Sequence, residues 1–173
     1  MPNYVVDIIN NLLIDDTQKN ALDFINYLTA NNMVFERGKG YWDDKYYWMI
    51  KYNSEYICFI LVGGEDEKKD NSWIIWSDDS ASNGYENYTL DERKKKIAYA
   101  NVDFCGNCGS CSGGTSKTIF GRTFDNVCRT TFRFDNPDSE TVECVKKLIE
   151  IRINDISVMN IPGHNFTKAE THQ

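Results

Sequence analysis

The sequence predicts an α+β fold in one domain: a mainly antiparallel sheet with N- and C-terminal helices on one face, and a cysteine-rich loop. Three observations carry this. Apolar residues recur at helical spacing near both ends of the chain. Between them lie short aromatic and β-branched runs separated by turn residues. The element order is helices, then strands, then a closing helix, within 173 residues, enough for one core without metal or disulfide support. The domain is expected over residues 1–156, with a tail over 157–173, and the sheet is expected to hold about four to six strands.

The elements follow in order. Val5, Ile8, Ile9 and Leu12 stand at i, i+3, i+4, i+7 and predict a short first helix. Asp15 and Asp16 suit the start of a second, over 16–31, because acidic groups favour a helix N-terminus. Ala21, Phe24, Ile25 and Leu28 are its stripe, and Asn31 and Asn32 end it. Residues 33–37 read as a strand. Residues 45–51 and 55–62 read as a hairpin around Asn53-Ser54, and 73–76 as a central strand, apolar on both sides. Residues 63–71 and 77–89 read as loops. A helix with a basic outer face is expected over 90–99, and a short strand over 101–104. Residues 105–128 form the cysteine segment, and 130–135 alternate as a half-buried strand. Asn136 as cap and Pro137 at the first turn open the last helix, over 137–154, with Val142, Val145, Ile149 and Ile153 inward and Glu143–Lys147 as an i,i+4 pair.

Composition removes several function classes. The net charge is −7, from 19 basic and 26 acidic residues. That argues against direct nucleic-acid binding, which wants a basic face. The longest uncharged apolar run, Tyr56 to Val62, is far shorter than the roughly 20 residues a membrane helix needs. The N-terminus lacks a basic region and a cleavage site, so a cytoplasmic location is expected. GGTSKT is no phosphate loop, because Thr115 and Ser116 separate Gly114 from Lys117. His164 and His172, the only histidines, fall in the tail, so a Cys–His catalytic pair is not expected.

Four of six cysteines share one segment. Cys105, Cys108 and Cys111 are spaced C-x2-C-x2-C among glycines, and Cys128 returns just before a strand. Cys58 and Cys144 fall in a strand and a helix with core periodicity and read as small buried hydrophobes. Zinc takes four ligands in a tetrahedron, and four cysteines are a common structural set. Cys105, Cys108, Cys111 and Cys128 are therefore candidate zinc ligands. An iron–sulfur cluster is the alternative metal reading, although Thr115 and Ser116 stand where a C-x2-C-x2-C-x3-C-P run needs Cys and Pro. Thiol–disulfide switching and plain free cysteines complete the options.

Aromatic residues mark a second candidate site. Tyr41, Trp42, Tyr46, Tyr47 and Trp48 crowd one stretch, and Trp73 and Trp76 follow. On a strand, Tyr46, Trp48 and Ile50 face one way and Tyr47 and Met49 the other, so one set is core. The second set would suit a ligand pocket or an interface. Glu36, Asp43 and Asp44 beside these rings would favour a cationic or amphipathic ligand.

The segment CGNCGSC-x-GG, with TIFGRTFDNVC and FRFDNPD leading into a final helix, resembles an uncharacterised family of small bacterial proteins. The pattern of helix, aromatic hairpin and C-terminal helix is similar to the small-molecule-binding effector domains of AraC-type regulators. That likeness implies a ligand pocket over a curved sheet. The chain carries no helix-turn-helix of its own, so any reader of DNA would be another chain. Three functions follow as expectations: a small-molecule- or effector-binding domain clipped by a four-cysteine zinc loop, a redox protein or enzyme using a CxxCxxC thiol, or a protein–protein interaction module.

Overall fold

The computed structural model describes residues 2–64, 71–77, 84–109 and 112–159. Four α-helices and seven strands follow in order: α1 Pro2–Leu12, α2 Asp15–Ala30, β1 Val34–Arg37, β2 Tyr46–Tyr52, β3 Glu55–Val62, β4 Trp73–Ser77, α3 Glu92–Ala100, β5 Val102–Phe104, β6 Thr115–Ile119, β7 Arg122–Asp135 and α4 Ser139–Met159. Short 3₁₀ turns occupy Gly40–Trp42 and Gly84–Asn87. The strand order is β1-β2-β3-β4-β7-β5, with β6 also paired to β7, and every pairing is antiparallel. The α+β architecture is as the sequence predicts, with one strand more than the expected range.

Local chemistry explains the element ends. Asn32 adopts φ 57°, and the Asn32 and Met33 N–H groups donate to Thr29 O at 3.0 Å and Leu28 O at 3.1 Å. This is a Schellman close, with asparagine in the left-handed position that glycine more often fills. Asn53 and Ser54, at φ 48° and 69°, make the paired left-handed turn that suits a two-residue hairpin. Asp91 caps α3 by accepting the Lys94 N–H.

Two details of the last helix differ from expectation. Its cap is Asp138, whose carboxylate accepts the Thr141 N–H at 2.8 Å. Asn136 instead pairs with β4: its Oδ1 accepts the Trp73 N–H and its own N–H donates to Trp73 O, both at 2.8 Å. The asparagine that resembles a cap thus extends the sheet beyond the end of the β4–β7 ladder. The lysines of α4 pair at i,i+3, as Lys146 with Glu143 and Lys147 with Glu150, rather than as Glu143–Lys147. The helix also continues through residues 157–159, which the sequence assigns to the tail; the rest of that tail, with His164 and His172, lies outside the described residues, as do residues 65–70 and 78–83 of the two expected loops.

One sheet face carries the main core. Trp48, Ile50, Ile60, Trp73, Ile75 and Phe134 pack there against Val5, Ile9, Phe24, Leu28, Val142 and Leu148 of the helices. Burying a Leu- or Phe-sized side chain is worth about 1.5–3 kcal/mol, so this layer dominates folding. Cys58 and Cys144 are fully buried within it, as expected. The Cys144 thiol donates to Lys94 O at 3.4 Å, and burial pushes its pKa up to about 12. Among the described residues no helix is long and apolar enough to cross a membrane.

Replacing Asp138 by Ala is expected to cost about 1 kcal/mol in denaturant unfolding at pH 7, the usual worth of an N-cap. The hydrogen bonds from Thr141 hold the Asp138 carboxyl below the ordinary aspartate range. A lowered folded pKa stabilises above the unfolded value and loses that contribution as pH falls through the folded one. The gap between wild type and Asp138→Ala is therefore full above pH ~4 and narrows below it.

Candidate metal centre and aromatic face

The cysteine segment is built on β7. The sequence treats residues 105–128 as one irregular stretch, yet β6 and the first half of β7 fall inside it as a hairpin closed at Phe120-Gly121. The loop proper is 105–114. Both of its ends are tied to one place. Phe104 of β5 and Thr115 of β6 pair with the same residue, Val127. The loop therefore leaves from one side of β7 and returns on the other, arching across the strand next to Cys128.

Asn126 secures both ends of that arch. Its backbone carbonyl accepts the Cys105 N–H at 2.8 Å, and its side-chain amide donates to Cys105 O at 3.2 Å. Gly114 presses on it from the other end: a Cβ there would lie 2.7 Å from the Asn126 carbonyl carbon and 2.8 Å from its oxygen. Only glycine permits that approach.

A bulge then displaces the chain at Cys128. Two steps along β5, Val102 to Phe104, match five along β7, from Phe132 back to Val127. Residues 128–131 stand opposite Asp103 alone, an excess of three, and fully buried Thr131 adopts φ 60°. Three side chains hold the bulge. The Ser77 hydroxyl donates to Thr130 O and accepts the Phe132 N–H. Thr130 Oγ1 donates to Asp103 Oδ2 at 2.8 Å, and Lys117 Nζ donates to Thr131 Oγ1 at 2.6 Å.

The thiols sit as follows. Cys105 is buried and Cys108 exposed, and together with Asn107, Gly109, Ser112 and Gly113 they line an open cavity of about 190 Å³. Cys128 is half-buried and is not on that wall. Cys111 lies outside the described residues. Among the described residues, no three His, Cys, Asp or Glu side chains are gathered to hold an ion. The turn itself has one specific feature. Asn107, at φ 55°, points its backbone N–H at Cys105 Sγ, 3.4 Å away. The Cys105 thiol in turn donates to Asn107 Oδ1 at 3.9 Å, so the two residues close a tight local turn.

The aromatic set divides between the two sheet faces. Trp48 and Trp73 are core, at 1% and 0% exposure. Half-buried Tyr46 packs against the same core. Tyr47 and Trp76 are on the opposite face with Leu61 and Ile74, and Trp42, Met49 and Phe59 pack against them. The alternation within β2 is as the sequence predicts. The seven rings do not all lie on one sheet face, and none of them is on the wall of either cavity described among these residues. The physical reason is period two, which sends Trp48 inward as it sends Tyr47 outward.

On the outer face Trp42 stacks on Tyr47, with ring centroids 4.3 Å apart at 17°. Trp76 meets Trp42 edge-on at 6.3 Å, and exposed Tyr41 meets it at 5.0 Å. Lys45 Nζ stands 3.5 Å from the Tyr41 centroid, and the Arg133 guanidinium 5.2 Å from that of Trp76. Glu36 is paired with Lys51 at 2.9 Å. The chain's own cations thus already sit over these rings, which weakens the case for a cationic ligand. Sequence reasoning also missed Arg152, buried under α4; a lone arginine on an otherwise apolar helix face was the available signal.

No family model matches the chain, and no curated protein or solved structure matches it significantly.

Gly114→Ala is expected to free the arch, whereas Gly106→Ala, where a Cβ meets nothing within 4 Å, is expected to be silent. Limited proteolysis reads the difference as cleavage within residues 105–128 in the first variant only.

Proposed function

We propose that the chain is a ligand-binding α+β domain whose cysteine loop is closed by one zinc ion on Cys105, Cys108, Cys111 and Cys128. The observation that carries it is the arch: β5 and β6 both pair with Val127, so a loop holding three thiols is fastened at both ends beside a fourth. The turn at Cys105 supports it further, through the contacts of Asn107 with that thiol. An all-sulfur set of four suits a closed structural site, which needs no water ligand. Zinc there would cross-link the two loop ends to β7, and its role would be to hold shape.

The ligand-binding part of the proposal rests on the outer sheet face. Trp42, Tyr47 and Trp76 form a stacked aromatic cluster there: Tyr47 and Trp76 are buried, at 8% and 9% exposure, and the partly exposed Trp42, Met49 and Phe59 packed on them make its surface, with no helix of the described residues among them. Such surfaces suit a flat small molecule or a protein partner. The likeness to effector domains of AraC-type regulators favours the small molecule. A reducing, cytoplasmic setting agrees with free thiols in the described chain. A redox role draws less support. A reactive thiol wants a cation beside it. Yet Arg122 lies over Tyr99 and Phe124, and Lys117 bonds Arg129 O and Thr131.

Elemental analysis of protein purified without chelator or added metal tests the zinc. About one zinc per colourless chain is expected. Cys108→Ser is expected to release it and to expose residues 105–128 to protease, while the thermal transition of the main core survives. A brown protein would point to an iron–sulfur cluster. Metal-free protein with titratable Cys105, Cys108 and Cys111 would remove the site.

A further inference from the structure

Charge is distributed unevenly along the chain. Residues 93–129 carry seven basic and two acidic side chains, a net of +5. The rest carries 12 basic and 24 acidic side chains, a net of −12. The basic stretch is one structural unit, made of α3, β5, the cysteine loop, β6 and the first part of β7. A chain that is acidic as a whole thus concentrates its positive charge at the β5 end of the sheet.

Four of those seven cations are engaged within the chain. Arg93, Lys94 and Lys95 pair with Glu140, Asp91 and Glu92, and Lys117 is bonded to the β7 bulge. Lys96, Arg122 and Arg129 are exposed, and among the described residues none of the three is in an ion pair. The two acids of the stretch are directed elsewhere. Asp103 accepts the Thr130 hydroxyl at 2.8 Å. Asp125 follows Phe124 on β7, so the pleat points it to the opposite face.

Arg122 is the centre of an aromatic ridge. Its guanidinium lies 5.5 Å from the Tyr99 ring of α3 and 4.8 Å from the Phe124 ring. Tyr99 and Phe124 are 5.6 Å apart, and Phe124 and Phe104 are 6.5 Å apart. Lys96 is one helical turn from Tyr99, on the same face of α3. At the other end Phe104 is 56% exposed, immediately before Cys105. The ridge thus carries two open cations and, beside them, one open ring. Two rings already hold the Arg122 guanidinium, so a carboxylate that pairs with it loses less side-chain freedom than it would on a free arginine. An apolar side chain next to that carboxylate would cover Phe104. A long polyanion such as a nucleic acid fits less well, because past the ridge it meets the acidic remainder of the chain.

We infer that this ridge docks a short acidic segment of a protein partner, one that also carries an apolar side chain. The surface is separate from the outer aromatic face and needs no ion in the cysteine loop, so its failure would leave the zinc proposal standing.

Fluorescence anisotropy on the intact chain tests it, with a labelled peptide of Glu and Asp interspersed with Leu. Binding at about 10–100 μM is expected at low salt, weakening as sodium chloride screens the charges. Lys96→Gln and Phe104→Ser are each expected to weaken it about fivefold, and Arg122→Gln about tenfold. Lys19→Gln removes the same charge from an exposed position of α2 and is expected to leave binding unchanged. The same peptide with Gln and Asn for its acids is expected not to bind. Arg122 packs on Phe124, so unfolding midpoints are compared alongside, and Lys96→Gln supplies the reading if Arg122→Gln does not fold. Absence of binding at low salt, an equal loss in Lys19→Gln, tighter binding of an oligouridylate than of the peptide, or a dimer of this chain that Lys96→Gln dissociates would each overturn the inference.

Discussion

The structure depends most on the continuity of β7. Its last residues, Arg133 to Asp135, zip onto β4 in the middle of the main sheet. Its first residues, Arg122 to Val127, carry β6 and the end of β5. One strand therefore belongs to both the hydrophobic core and the platform of the cysteine loop. The bulge over residues 128–131 lets it do so. It offsets the two halves of the strand, and β4, β5 and β6 each contribute one side chain to hold it: Ser77, Asp103 and Lys117. Without that bulge the Val127 and Phe132 pairings with β5 could not both form.

This arrangement separates stability from chemistry. The helices and the inner sheet face supply the burial that folds the chain. The loop at 105–114 is fastened at its two ends by Asn126 and by the close approach of Gly114. A metal there would act locally, and its loss would be felt first in the loop. The outer aromatic face is a third region, organised by ring stacking and by cations from its own strands and turn. The buried guanidinium of Arg152 belongs to the core, where it donates to Tyr56 O through Nε and Nη2.

Much of the fold was legible from periodicity. Ala21, Phe24, Ile25 and Leu28 mark α2, and the apolar run Trp73–Trp76 marks a central strand, because helical and strand periods differ strongly. The β6–β7 hairpin was hidden. Thr115 to Ile119 and Arg122 to Cys128 are rich in polar residues because they form a sheet extension with much of their surface in water, so hydropathy alternation is weak. Asn136 was misleading for a related reason. Its side chain can cap a helix or mimic a backbone partner, and only the neighbouring Trp73 backbone decides between them. Of the candidate sites, the cysteine spacing was readable at once, but the arch was not, since it follows from β5 and β6 meeting at one residue. For the aromatic set, pleat alternation within β2 was readable, but which of its two faces would meet the helices was not, because both faces carry large apolar rings.

Zinc K-edge X-ray absorption on the purified protein tests the central claim most directly, because it counts the ligands around the ion rather than the ion itself. A single shell of four sulfurs at about 2.3 Å is the result this account predicts. A shell containing nitrogen or oxygen, or fewer than four sulfurs, would contradict it.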